Sequence, residues 1–228
     1  MNTTHMVPQS VAFVGDYLLI SAYDLSGEQE SVIYIMDKNK KSYITTLILP
    51  HQGHVGGMAF DGENVWISYG KRIQCIKKQV ITDAVKSGSA YTEVYTFTTE
   101  VTMPDTASYI TYYKDRVWVG AYSETAKKYM YGYTIAGKTG VPVLTQKNKI
   151  LMPNRTQGVT MTSDGRMIIS RSCQTRPENR GFLCQLDIIA VAICLGNGHD
   201  GVGDGVFSIR YNGRNHTRNV WRNHALVE

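Results

Sequence analysis

VAFVGDYLLISAYD (residues 11–24) is an apolar strand, a Gly-Asp turn and a second strand that ends in small and aromatic residues. The same phrase is written three more times, as MAFDGENVWISYGK (58–71), ITYYKDRVWVGAYS (110–123) and VTMTSDGRMIISRS (159–172). The starts at 11, 58, 110 and 159 leave intervals of 47, 52 and 49 residues. A recurrence of roughly 40–50 residues built from short strands is the sequence signature of propeller blades. The expected fold is therefore all-β. It is a β-propeller with four recognisable blades, or an incomplete part of a larger one, over residues 8–188. An open set of blades exposes strand edges, so self-association through those edges is expected.

The remaining strands fill in between the repeated hairpins. SVIYIMD (31–37) and SYITTLIL (42–49) alternate apolar and polar positions and complete a first blade, which Pro50 closes. In the second blade, residues 80–90 predict one or two helical turns, capped by Thr82-Asp83 and stopped at Gly88. TEVYTFTT (92–99) returns to strand. YMYGYTI (129–135) and FLCQLDI (182–188) are third strands of the third and fourth blades. Beyond Ile188 this grammar breaks. Residues 188–195 are uninterrupted apolar, residues 196–205 are glycine-dense, and no lysine follows Lys149. Residues 189–228 are expected to be an irregular, truncated or poorly ordered tail, as in an incomplete gene product.

With 228 residues, the chain can hold one sizeable domain. A net charge of +5 is mild, and the basic residues are scattered over turns such as Lys38, Lys40, Lys71 and Lys77, which argues against nucleic acid as a partner. The longest apolar run has eight residues, too short to cross a membrane. Residues 1–10 lack a secretion-signal pattern. Cys75, Cys173, Cys184 and Cys194 form no C-x-x-C pair of zinc type. They are read as free, half-buried thiols, the alternative being a Cys173–Cys184 bridge across a hairpin.

The blade openings GHVGGMAFDGENVWIS and RTQGVTMTSDGRMIIS resemble the innermost strands of the gluconolactonase/senescence-marker, NHL and YVTN-type propellers. The run TASYITYYKDRVWVGAYSE, with YMYGYTI after it, is similar to uncharacterised secreted or surface propellers of Gram-positive bacteria. The resemblance spans about residues 8–188. It implies a propeller fold, and it implies an extracellular or cell-surface setting. It does not fix an activity, because this fold hosts many. The gluconolactonase resemblance would imply one divalent cation held by Glu, Asn and Asp from separate blades. Here the Asp position is Gln157, the Asn position falls at Ala107-Ser108, and no Glu stands in Pro8-Gln9-Ser10. A hard cation needs carboxylate charge, so no metal and no cofactor is expected.

The residues just ahead of each innermost strand face the axis in such a fold. They are Gln9, His54, Ser108 and Gln157, and the other ends of the hairpins carry Tyr23, Tyr69, Tyr122 and Arg171. This ring of amides, imidazole, phenols and a guanidinium could hydrogen-bond a small polar ligand such as a sugar or a short peptide. Singly, each group is read as bonded to its neighbours or to channel water. His54 is read as a channel or turn histidine in preference to a general base. Arg171 suits an anion or an ion pair.

Other motifs are discounted. Residues 196–201 match G-x-G-x-x-G, but Gly203-Asp204-Gly205 follows where a dinucleotide site needs a helix. Residues 201–204 are one copy of a calcium pattern that needs tandem copies. Asn2, Asn154 and Asn215 open glycosylation patterns without further meaning. Asp24, Glu28 and Glu30 read as a solvated turn. No catalytic set is legible, so the expectation is a non-enzymatic binding or protein-interaction module. The alternative is a gluconolactonase-like metal-dependent hydrolase.

Overall fold

The computed structural model describes residues 5–172 throughout and the backbone of two later strands, Cys184–Val191 and Val206–Ile209. The first sheet is a meander of β1 (Met6–Val14), β2 (Tyr17–Asp24), β3 (Val32–Asp37) and β4 (Ser42–Ile48). The second begins with β5 (Gly57–Phe60), β6 (Asn64–Tyr69) and β7 (Arg72–Lys77). Helix α1 (Lys78–Ser87) follows, then β8 (Tyr91–Glu93) and β9 (Thr99–Thr102). The third sheet is β10 (Tyr109–Tyr113), β11 (Arg116–Gly120), β12 (Lys128–Ala136) and β13 (Val143–Met152). The fourth is β14 (Thr156–Met161), β15 (Met167–Ser172), β16 (Cys184–Val191) and β17 (Val206–Ile209), each strand antiparallel to the one before it.

Each sheet stacks on the next through an apolar layer. Val14, Leu19, Ile33, Ile35 and Leu47 of the first meet Met58, Val65 and Ile67 of the second. Ala59, Trp66 and Ile73 meet Ile110, Val117 and Val119 of the third. Tyr109, Trp118 and Met130 meet Met167 and Ile169 of the fourth. The period-two alternation that defines the strands supplies these faces, because successive side chains leave the sheet on opposite sides. Innermost strands β1, β5, β10 and β14 pack in that order around an axis. The fold is a β-propeller.

Glycines set the closeness of the inner strands. A Cβ on Gly57 would stand 2.6 Å from the Ile110 backbone N and 3.0 Å from the Tyr109 Cα. Only a residue without a side chain lets β5 lie this close to β10. The middle inner strands are consequently buried. By contrast, Val11 and Phe13 on β1 are 61% and 63% exposed, and β14 is also partly exposed. Among the described residues β14 makes no comparable packing against β1.

Two local expectations are corrected. Helix α1 starts at Lys78, earlier than Thr82-Asp83 suggested. Lys77 is extended (φ −70°, ψ 146°) and gives no side-chain cap. The Lys78 N–H instead donates to the Glu63 carbonyl at 2.9 Å, and Thr82 Oγ1 donates back to Gln79 O inside the helix. The glycine stop holds, with Gly88 left-handed at φ 65°. Residues 92–99 are not one strand. β8 runs parallel to β4 in the first sheet, whereas β9 completes the second beside β7. β17 lies inside the segment 189–228 and is the outer strand of the fourth sheet. Apart from β17 and the end of β16, that segment lies outside the described residues, as do the glycine motif at 196–201, Cys173, Cys194, Asn2 and Asn215. Cys75 is free and fully buried. No helix among the described residues is long and apolar enough to cross a membrane.

Candidate functional site

The inner strands line an open axial cavity of about 750 Å³. Its walls come from all four sheets: Gln9 to Phe13, Gly56 to Phe60, Ser108 to Tyr112 and Gln157 to Thr160, with Ile168, Ser170 and Ser172. Among the described residues no lining side chain carries a charge.

Two of the expected site residues owe their position to the same backbone device. In the β1–β2 ladder Pro8 pairs with Ala22 and Ser10 with Ser21, so Gln9 is the extra residue of a bulge. In the β14–β15 ladder Thr156 pairs with Arg171 and Gly158 with Ser170, so Gln157 is extra in the same way. A bulge bends the strand and re-aims one side chain. Here it brings an amide to the cavity in the first and fourth sheets.

The eight expected residues do not all reach the cavity. Gln9, Ser108 and Gln157 line it, whereas His54, Tyr23, Tyr69, Tyr122 and Arg171 do not. The antiparallel hairpins nevertheless return the second group to the same end of the sheets as the first. Val7 pairs with Tyr23, Thr156 with Arg171, and Gly57 with Ser68 beside Tyr69.

Most of these groups are engaged with one another. His54 Nδ1 is 3.2 Å from Gln9 Oε1, and the imidazole packs on Tyr23 with ring centroids 4.0 Å apart. The Tyr122 N–H donates to Ser108 Oγ at 2.9 Å, and its hydroxyl is 3.4 Å from Ser172 Oγ. Arg171 donates to both the carbonyl and the side-chain oxygen of Asn154, each at 3.0 Å. Tyr69 donates to the Gln52 carbonyl at 2.8 Å. Gln157 is exposed and makes no hydrogen bond to another described residue.

His51 is the histidine that sequence reasoning passed over. Its ring stacks on Tyr69 at 3.7 Å and 7°, and Nε2 lies 2.9 Å from Gln74 Oε1. Gln74 Nε2 donates to Glu100 at 2.7 Å, and Glu100 pairs with Arg72 at 3.0 Å. Because the Gln74 amide donates to Glu100, its oxygen faces His51 and Nε2 carries the proton. Burial holds the His51 pKa below its usual value, and the Gln74 bond opposes this. The signal in the sequence was the pair of histidines in His51-Gln52-Gly53-His54. Only the fold shows which of them is built into the joint between sheets.

The acidic turn of the first sheet is not an open ligand set. Asp24 accepts the Ser26 hydroxyl and the N–H groups of Glu28 and Gln29. The Ser26 hydroxyl leads in lowering its pKa. The cavity positions that a cation would use offer amides and hydroxyls only, with Ser108 Oγ already accepting from Tyr122. They do not fit a divalent ion, which takes its charge from carboxylates. Among the described residues no group of His, Cys, Asp and Glu gathers in metal-binding geometry.

No protein-family profile and no curated protein matches this chain. Solved structures do, at low identity. Glutaminyl cyclase of Myxococcus xanthus superposes with a TM-score of 0.53 at 8% identity, over 82% of this chain and 66% of that one. An engineered GH43 glycoside hydrolase gives 0.50 at 11%, over 92% and 43%. Hydrazine synthase of Kuenenia stuttgartiensis gives 0.50 at 12%, over 84% and 48%. These neighbours have propeller-type folds and agree with the architecture described above. The chain spans about half the length of two of these three and 66% of the other.

Proposed function

We propose that this chain is a non-enzymatic binding module whose axial cavity takes an uncharged polar ligand. The observation that carries this reading is the cavity wall, built of amides, hydroxyls and apolar groups. Such a wall binds and orients. Among the described residues its lining has no His, Cys, Asp, Glu or Lys of the kind that acid–base chemistry uses. The unengaged amide of Gln157 and the bulged amide of Gln9 are the first contacts for a ligand's hydroxyl or carbonyl groups. The resemblance to secreted and surface propellers supports an extracellular setting, which cell fractionation tests.

The deciding experiment sets binding against turnover. Neutral mono- and disaccharides are titrated into the purified chain by calorimetry, and the same preparation is assayed for lactone hydrolysis with and without chelator. Saturable binding that Gln157→Ala weakens, with no chelator-sensitive turnover, is the expected result. Chelator-sensitive hydrolysis with a stoichiometric bound cation would overturn the proposal in favour of a gluconolactonase-like hydrolase.

A further inference from the structure

The cavity has amides and hydroxyls at one end, and away from that end its β1 wall is apolar. The strand register orders its walls. Gln9, Ser108 and Gln157 stand at corresponding positions toward one end of the inner strands, and Phe13, Phe60 and Tyr112 stand near the hairpin turns, the Tyr112 hydroxyl being bonded to Asp115 and Lys138. Val11 connects the two ends along β1.

Val11 and Phe13 are unusual among the inner-strand residues. Their neighbours Ala12 and Val14 turn toward the core shared with the second sheet. By strand alternation Val11 and Phe13 leave β1 on the opposite side. There they are 61% and 63% exposed, whereas Met58, Tyr109 and Ile110 on the middle inner strands are buried. Across the hairpin Val11 pairs with Ile20 and Phe13 with Leu18, both only half-buried. The exposed pair is thus the front of a wider apolar strip, of the kind that marks a binding surface.

We propose that the ligand is a neutral amphiphile, with an uncharged polar head at the glutamine end and an apolar chain or ring laid along Val11 and Phe13. This rests on the cavity being the binding site for an uncharged ligand. A plain sugar would satisfy the amides and leave the apolar strip in water. An ionic lipid would bring a charge against a wall whose described side chains carry none to pair with it. An uncharged head with a hydrocarbon tail satisfies both ends.

The test uses methyl, hexyl and octyl glucoside below their micellar concentrations, titrated by calorimetry into the full chain and into Val11→Ser and Phe13→Ser. Both substitutions are at exposed positions, and circular dichroism checks that the variants remain folded. Affinity is expected to rise at least about tenfold from methyl to octyl glucoside as methylenes are buried. Phe13→Ser should remove most of that rise. Equal binding of methyl and octyl glucoside would overturn the amphiphile and leave the sugar-binding reading standing. No binding by any of the three would overturn both. Light scattering on the same samples adds one more decisive outcome. A dimer that Phe13→Ser splits would mean that Val11 and Phe13 face a second copy of the chain, and it would overturn the proposal.

Discussion

Gly57→Ala tests whether backbone proximity between β5 and β10 holds the axis together. The added methyl would meet the Ile110 N at 2.6 Å, Ile110 Cγ2 at 2.8 Å and the Tyr109 Cα at 3.0 Å. Two of these three atoms are backbone in a paired strand, so relief requires two sheets to separate instead of one side chain rotating. Overpacking of this kind costs about 1–3 kcal/mol, and a backbone obstacle points to the upper half of that range. For a chain of this size a loss of about 2–3 kcal/mol lowers the melting temperature by roughly 4–12 °C. Gly140→Ala is the matched control, because the nearest atom to its new methyl is 3.9 Å away. That variant should melt within roughly 2 °C of the parent, the lower unfolded-chain entropy giving if anything a small gain. The assay is thermal unfolding followed by circular dichroism. Equal melting temperatures for the two variants would refute the account of how the inner strands are spaced.

Three further outcomes are expected. Asp61 accepts from Trp66 Nε1 at 2.7 Å and from the Asn64 N–H at 2.7 Å, so Asp61→Ala leaves buried donors without a partner. It should cost about 2–3 kcal/mol by urea denaturation, and a change near zero would contradict the network. His51 is held below its ordinary pKa of 6.5 by burial, so the unfolded chain takes up a proton that the folded chain refuses. Its contribution to stability is therefore complete above that value and declines as pH falls below it. His51→Gln should flatten the loss between about pH 7.5 and about pH 5.5, and an unchanged slope would count against it. Burial pushes the Cys75 thiol up to about 11. The peptide containing it should resist iodoacetamide in the native chain at mildly alkaline pH and label fully in urea, by mass spectrometry. Rapid native labelling would show that the second sheet opens.

The hairpins were legible because each pairs a run of alternating apolar residues with a short turn, and both signals are local. What escaped the sequence was set by partners far along the chain. The start of α1 depends on the Glu63 carbonyl receiving the Lys78 N–H, and no cap pattern at Thr82-Asp83 reports that. Residues 92–99 carry β propensity throughout, yet which sheet each part joins depends on the free edges of β4 and β7. In the site, Gln9, Ser108 and Gln157 were found from their place ahead of the inner strands. The bulges that aim the two glutamines appear only in the register. Nothing in the sequence singled out the apolar strip of Val11 and Phe13, because alternation says which residues share a face and not whether another sheet covers it.

The path of the chain after α1 has a mechanical corollary. β8 is hydrogen-bonded to β4 of the first sheet, and the Val94 N–H reaches the Ile48 carbonyl; a few residues later β9 is bonded to β7 of the second. In a tandem array each unit can fray alone, since it touches only its neighbours. Here one short segment is stitched to two units at once. Peeling it away strips an edge from both, so amide exchange should find the first two melting as a single block, while the third keeps its own opening rate.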